Sequence, residues 1–314
     1  MNVLIPKAVT AAMFAPGTNI PEVDTTTTPP EEAWAGPTAY SAGARVTRAG
    51  WWWAAVKAVP ANSPAPDAAG GGEFWEKDET SPTNRNAPFD EYLSTKARRL
   101  GEVVLQLDVG FCTGMAAEAL EGDLLEFTAT AAGANLIPPM SVPLWQQAFG
   151  LWEYLFGELQ RATRFRVDGI PVHPAARYTL KVKRNTPTVE AAVGYMSVGQ
   201  WSAYNAPKKD KGGTEFGAEA TPKSFSFQQD RPDGTYVRRA GRKATNITGT
   251  CVIAATDGPR AKTMLDRVLD IPVAVSISDL PSWSYLNTVG FLTGTVRAAG
   301  PKEAVIVFSI KGNV

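Results

Sequence analysis

Asn246–Ala254 (NITGTCVIA) and the residues after it decide how this chain folds. Its β-branched and apolar residues, uninterrupted by proline, describe a strand. Asp257-Gly258-Pro259 then opens a helix to about Asp270, with Asp257 as the cap and Pro259 in the first turn. Met264, Leu265, Val268 and Leu269 supply an apolar stripe, and Leu265 and Leu269 are expected to bury against a sheet. Pro272 ends the helix. Val273–Ser278, Leu286–Arg297 and Ala304–Lys311 return as strands, so the segment reads as a sheet carrying one helix on a face.

Working upstream, Gly194–Trp201, Phe225–Gln229 and Tyr236–Arg238 read as shorter strands. The long loop Ala206–Thr221 (APKKDKGGTEFGAEAT) is polar enough to order only against a partner. Glu102–Asp108 (EVVLQLD), Leu124–Ala129 (LLEFTA) and Tyr178–Lys183 (YTLKVK) alternate polar and apolar residues, as half-buried strands do. Leu144–Arg161 is richer in Leu, Phe, Trp and Gln and reads as a partly helical or irregular excursion over a sheet. Residues 31–78 hold five of the nine tryptophans: Trp34, Trp51, Trp52, Trp53 and Trp75. Thr25–Pro30 (TTTTPP) is a stiff polar linker, and residues 1–24 resemble an arm with little core of its own. The expected fold is mainly β. An N-terminal arm and linker (1–30) precede a small Trp-rich β module (31–80), a β-sandwich (81–200) and a C-terminal β-sheet with one packed helix (201–314).

The 314 residues carry 31 Lys+Arg against 31 Asp+Glu. That balance argues against a nucleic-acid partner, which requires a concentrated positive field. No apolar run approaches the roughly 20 residues of a membrane span. Met1–Lys7 lacks the features of a secretory leader, so synthesis in a cytoplasm is expected. Cys112 and Cys251, far apart in strand-like segments, are expected to be buried free thiols.

Residues that carry chemistry are sparse. The single histidine, His173, sits in the turn IPVHP without a nucleophile or an orienting carboxylate in view. One histidine and two distant cysteines form no zinc pattern, and no cofactor motif is present. Gly70–Gly72 and Gly212-Gly213 lack the helix that would present amides to phosphate. Glu118 and Glu121 are a carboxylate pair of the kind glycosidases use, though nothing in their spacing is diagnostic. No catalytic and no metal-binding residue is assigned.

The aromatics carry the sharper reading. In Gly50-Trp51-Trp52-Trp53-Ala54-Ala55, strand alternation places Trp51 and Trp53 on one side and Trp52 on the other. Exposed indoles stack on the apolar faces of sugar rings. Trp34, Tyr40-Ser41-Ala42-Gly43, Val46, Gly50 with the tryptophan triplet, Ala54, Asn62, Pro64 and Trp75 resemble the chitin-binding type 3 pattern. The resemblance implies a core role for Trp53 and a candidate carbohydrate platform of Trp34, Trp52 and Trp75. The long Pro/Ala/Gly loop before Trp75 departs from the pattern.

A wider resemblance covers nearly the whole chain. Ile5–Met13 (IPKAVTAAM), Asn19–Asp24 (NIPEVD) and Pro82–Asp90 (PTNRNAPFD) are similar to a family of phage tail tip and baseplate proteins. So are Leu151–Phe156 (LWEYLF) and the closing unit from Arg242, and the strand–helix–strand ending also resembles distal tail proteins. Asn86 and Pro88 stand where that family has Trp and Met. This resemblance implies a virion structural protein made in the host cytoplasm and assembled at the tail tip or baseplate. Its expected partners are copies of itself, other tail proteins and a host surface glycan, with no catalytic function. The alternatives are a glycan-binding adhesin that displays the Trp-rich module and a carbohydrate-active enzyme.

Overall fold

A computed structural model describes residues 1–145, 150–157, 161–204, 213–230, 232, 235–278 and 280–313. Strands take 47% of the chain and helices 11%, so the fold is mainly β. The chain divides into two compact units, both discontinuous. One comprises Met1–Lys7, Thr113–Ala116 and Ser197–Val314; the other comprises Ala8–Cys112 and Ala117–Met196. The expected arm at 1–30 is therefore split between the units. The expected Trp-rich module (31–80) shares one unit with most of 81–200.

In the first unit the strand Asn2–Pro6 lies inside a sheet. It runs antiparallel to the end of Tyr195–Ala203 on one side and to Pro272–Ser276 on the other. Val3 and Leu4 are fully buried, which corrects the expectation of an arm without a core. Pro6 lies opposite Gly199, where a β-carbon would meet the Ile5 carbonyl oxygen at 2.0 Å; only glycine admits the strand there. The sheet continues through Thr288–Ala298, Glu303–Gly312 and Lys243–Ala254, with Gly213–Thr214 and Glu219–Ser224 along the far edge of Lys243–Ala254. The segment Ala206–Gly212 of the expected loop lies outside the described residues. The remainder is partly strand, because Glu219–Thr221 pairs with Asn246–Thr248.

Ile247, Cys251 and Ile253 alternate into the core opposite Ile310, Ile306 and Ala304. Gly249, at the position the alternation reserves for a core side chain, leaves room for Phe308: a β-carbon would lie 2.8 Å from its ring. The helix Gly258–Arg267 packs on this face through Ala261, Met264 and Leu265. It ends three residues earlier than expected, since Asp270 takes a left-handed conformation (φ 60°) ahead of Pro272. Leu269 consequently falls in the turn and is 54% exposed, correcting its expected burial. Asp257 makes no side-chain cap bond. It belongs to a 3₁₀ turn and has helical dihedrals (φ −86°, ψ −7°), unlike the extended backbone of a capping residue.

In the second unit Met140–Pro143, Leu124–Ala131, Ala176–Lys183 and Glu102–Asp108 form an antiparallel sheet. Period-two burial along the middle strands sends Leu125, Phe127, Tyr178 and Leu180 into the core, where Val103 and Leu105 of Glu102–Asp108 join them. Residues 14–19 lie along Glu102–Asp108: the Ala15 and Asn19 amides donate to the Gln106 and Val104 carbonyls, and the Asn19 carboxamide accepts from the Val104 amide. Ala97–Leu100 pairs with Glu190–Val193. Arg45–Arg48, Trp51–Ala55 and Trp75–Pro82 make the small three-stranded sheet of the Trp-rich segment. Cys112 and Cys251 are both free and buried.

Candidate binding cleft

Pairing within the three-stranded sheet sorts the tryptophans. Val46 lies opposite Trp53 and Thr47 opposite Trp52, so Trp53 and Trp52 point to different faces. Trp53 packs onto the core of Val46, Ala55, Val59 and Trp75. Trp75 is only 2% exposed and meets Tyr40 edge-on at 5.3 Å. It is a core residue and cannot be a sugar platform, so the expected set Trp34, Trp52 and Trp75 does not share an exposed face. Trp34 packs at the edge of that core beneath the Arg48 guanidinium, 5.0 Å from its ring centroid.

Trp52 lies on the opposite face, in a cleft of about 1010 Å³. It is 8% exposed, because the Arg45 guanidinium covers it at 4.9 Å from the ring centroid. Arg45 is held by Asp78 at 3.1 Å. The rest of the cleft is polar, with Thr25–Thr28, Asn84, Lys96, Arg98 and Arg99 among its walls.

The cleft is braced by a buried carboxylate pair absent from the expected site. Glu31 accepts from the backbone amides of Asp24 (2.7 Å) and Asn84 (2.6 Å). Asp24 accepts from the Thr26 amide and hydroxyl and from the Asn84 side chain (2.9 Å). Burial pushes the Glu31 pKa up, and the charge of Asp24 adds to that against the two amide bonds. Burial also acts to raise Asp24, but the Thr26 and Asn84 bonds and the Arg99 charge outweigh it, and its pKa falls below the ordinary value. Asn84 further bonds Arg98 through its side-chain oxygen to the Arg98 amide (2.9 Å). The segment Pro82–Asp90 thus acts as a joint. Arg85 lies over the Phe14 ring at 3.9 Å, and Phe14 meets Phe89 edge-on at 5.6 Å.

With the Arg45 guanidinium moved off Trp52, such an arrangement can bind a polar ring compound: an indole face for C–H surface, and amide, hydroxyl and guanidinium groups for hydroxyls. The carboxylates singled out in the sequence lie elsewhere. Glu118 is buried beside Arg164 (3.6 Å), with burial raising its pKa to about 7 against the opposing charge of Arg164. Glu121 is ion-paired with Lys96. His173 Nδ1 accepts from the Ala175 amide within its own turn. Among the described residues no three His, Cys, Asp or Glu side chains gather as metal ligands, and no helix is long and apolar enough to cross a membrane.

A second feature was hidden in the sequence. The helix Leu151–Phe156 exposes Leu151 (75%), Trp152 (77%), Tyr154 (77%) and Phe156 (68%), while 146–149 and 158–160 of the expected excursion lie outside the described residues. Comparison with protein-family models, with curated proteins and with solved structures finds no match.

Proposed function

We propose that this chain is a structural component of a phage tail tip or baseplate that assembles with copies of itself and with other tail proteins. The observation that carries the reading is the helix Leu151–Phe156. Monomeric proteins rarely leave a contiguous aromatic surface in water. The Trp152 and Phe156 rings already meet, tilted by 45° with centroids 4.4 Å apart, as a preformed anchor does. The joint built from Pro82–Asp90 supports the same reading, since this family-like motif braces one segment against another. The protein would be made in the host cytoplasm and carried in the virion. Gold-labelled antibody against this chain on purified particles should decorate the distal tail; labelling elsewhere, or none, overturns the proposal.

The Trp52 cleft favours a second reading, contact with a host-surface glycan. A glycan array probed with purified protein separates an adhesin from a purely architectural part. Turnover of cell-wall polysaccharide by the same preparation would instead support the carbohydrate-active enzyme.

A further inference from the structure

One side of the helix Gly258–Arg267 lines a pocket of about 360 Å³ together with Ser202 and Tyr204. Arg260 and Arg267 both reach it, because residues seven apart return to the same side of a helix. Arg260 is preorganised: its Nη2 donates to Ser202 Oγ at 2.9 Å, and its guanidinium lies 5.3 Å from the Tyr204 ring centroid. The Ser202 hydroxyl in turn donates to the Tyr204 hydroxyl, which keeps its own proton to offer. Burial pushes the Tyr204 pKa up, so that proton stays in place. Among the described residues neither arginine has a carboxylate within ion-pair distance: Asp266, beside Arg267, is taken by Lys262, and Asp257, whose charge reaches Tyr204, makes no ion pair with Arg260.

A guanidinium held by a ring and a hydroxyl, yet lacking a counter-ion, has its fork of N–H donors fixed for a planar or tetrahedral oxyanion. We propose that this pocket is an oxyanion site. It takes a carboxylate or phosphate group between Arg260 and Arg267, with the Tyr204 hydroxyl as a further donor. In a chain with no net charge, two uncompensated arginines around one pocket make a local feature and not part of a general basic field.

Calorimetric titration of the full chain with inorganic phosphate, and separately with a short oligoglutamate peptide, tests the site. Binding of phosphate alone assigns a phosphoryl ligand, and binding of the peptide alone assigns a carboxylate side chain; binding of both supports a general oxyanion site. The double variant Arg260→Gln/Arg267→Gln should weaken binding at least tenfold, and Arg260→Lys should restore little of it, because an ammonium lacks the fork. Both arginines are exposed, so the variants should keep the native melting curve. No binding of either probe, or undiminished binding in the double variant, overturns the proposal.

Discussion

The Arg45 guanidinium lies 4.9 Å from the centroid of the Trp52 ring and is tethered by Asp78, so the one indole on the outer face of the small sheet is covered by its own neighbour. An exposed ion pair of this kind contributes only about 0–1 kcal/mol. A sugar ring therefore has little to displace. If the cleft binds glycan, Arg45→Ala should leave the melting temperature nearly unchanged and strengthen glycan-array binding. Weaker binding would make Arg45 itself a ligand contact.

Trp52→Ala should cost about 3–5 kcal/mol, as truncation of a buried aromatic does. Chemical denaturation measures it. A change below about 1 kcal/mol would show that the ring spends its time uncovered.

Leu265→Ala and Leu269→Ala, four residues apart, should behave oppositely. The first removes a buried side chain against the sheet and should cost about 2–5 kcal/mol. The second alters an exposed turn and should stay within about 0.5 kcal/mol. Equal effects in urea melts would place the end of the helix elsewhere.

Glu118 makes stability depend on pH. Its pKa is raised from 4.5 to about 7, so the folded chain holds that proton where the unfolded chain has released it. The associated stability is fully present below about pH 4.5 and is lost as pH rises to about 7, by roughly 3 kcal/mol at 1.36 kcal/mol per unit. Glu118→Gln, which cannot ionise, should abolish this fall and make the protein more stable than the native chain at pH 8. Parallel pH profiles in the two proteins would remove Glu118 as their cause.

Trp152→Ser/Phe156→Ser should melt as the native chain does, because both side chains are exposed. If the chain assembles into a tail as proposed, the same variant should fail to enter particles in a complementation assay. Normal incorporation would sink the anchor role of this helix.

The sequence was most legible where one period governed a long segment. Glu102–Asp108 is a strand with the expected bounds, and Asn246–Ala254 is the greater part of a longer one. Alternation also separated Trp53 from Trp52 correctly. It could not reveal that Arg45, seven residues upstream, covers Trp52, because that contact depends on pairing across strands. Trp75 was misplaced for a related reason. A tryptophan at the start of a strand is equally compatible with core and platform, and the choice is made by Tyr40 and Val46 from other parts of the segment. Nor does a local pattern tell an arm from an inserted strand: Asn2–Pro6 is short, and what holds it is a gap left by Gly199.

That inserted strand has a consequence for biosynthesis. The Met1 ammonium donates to the carbonyl of Tyr204, 203 positions away, and Val3 lies opposite both Ser202 and Val275. Asn2–Pro6 must therefore wait for the synthesis of Ser202 and Val275 before it finds its place. Until then the nascent chain carries an apolar ribbon with unsatisfied amides, and the sheet that will receive it has two open flanks. Contacts this distant in sequence form slowly, and exposed edges meanwhile invite pairing with another chain. Translation speed, temperature during synthesis and chaperone supply should consequently govern how much of this protein reaches its native state.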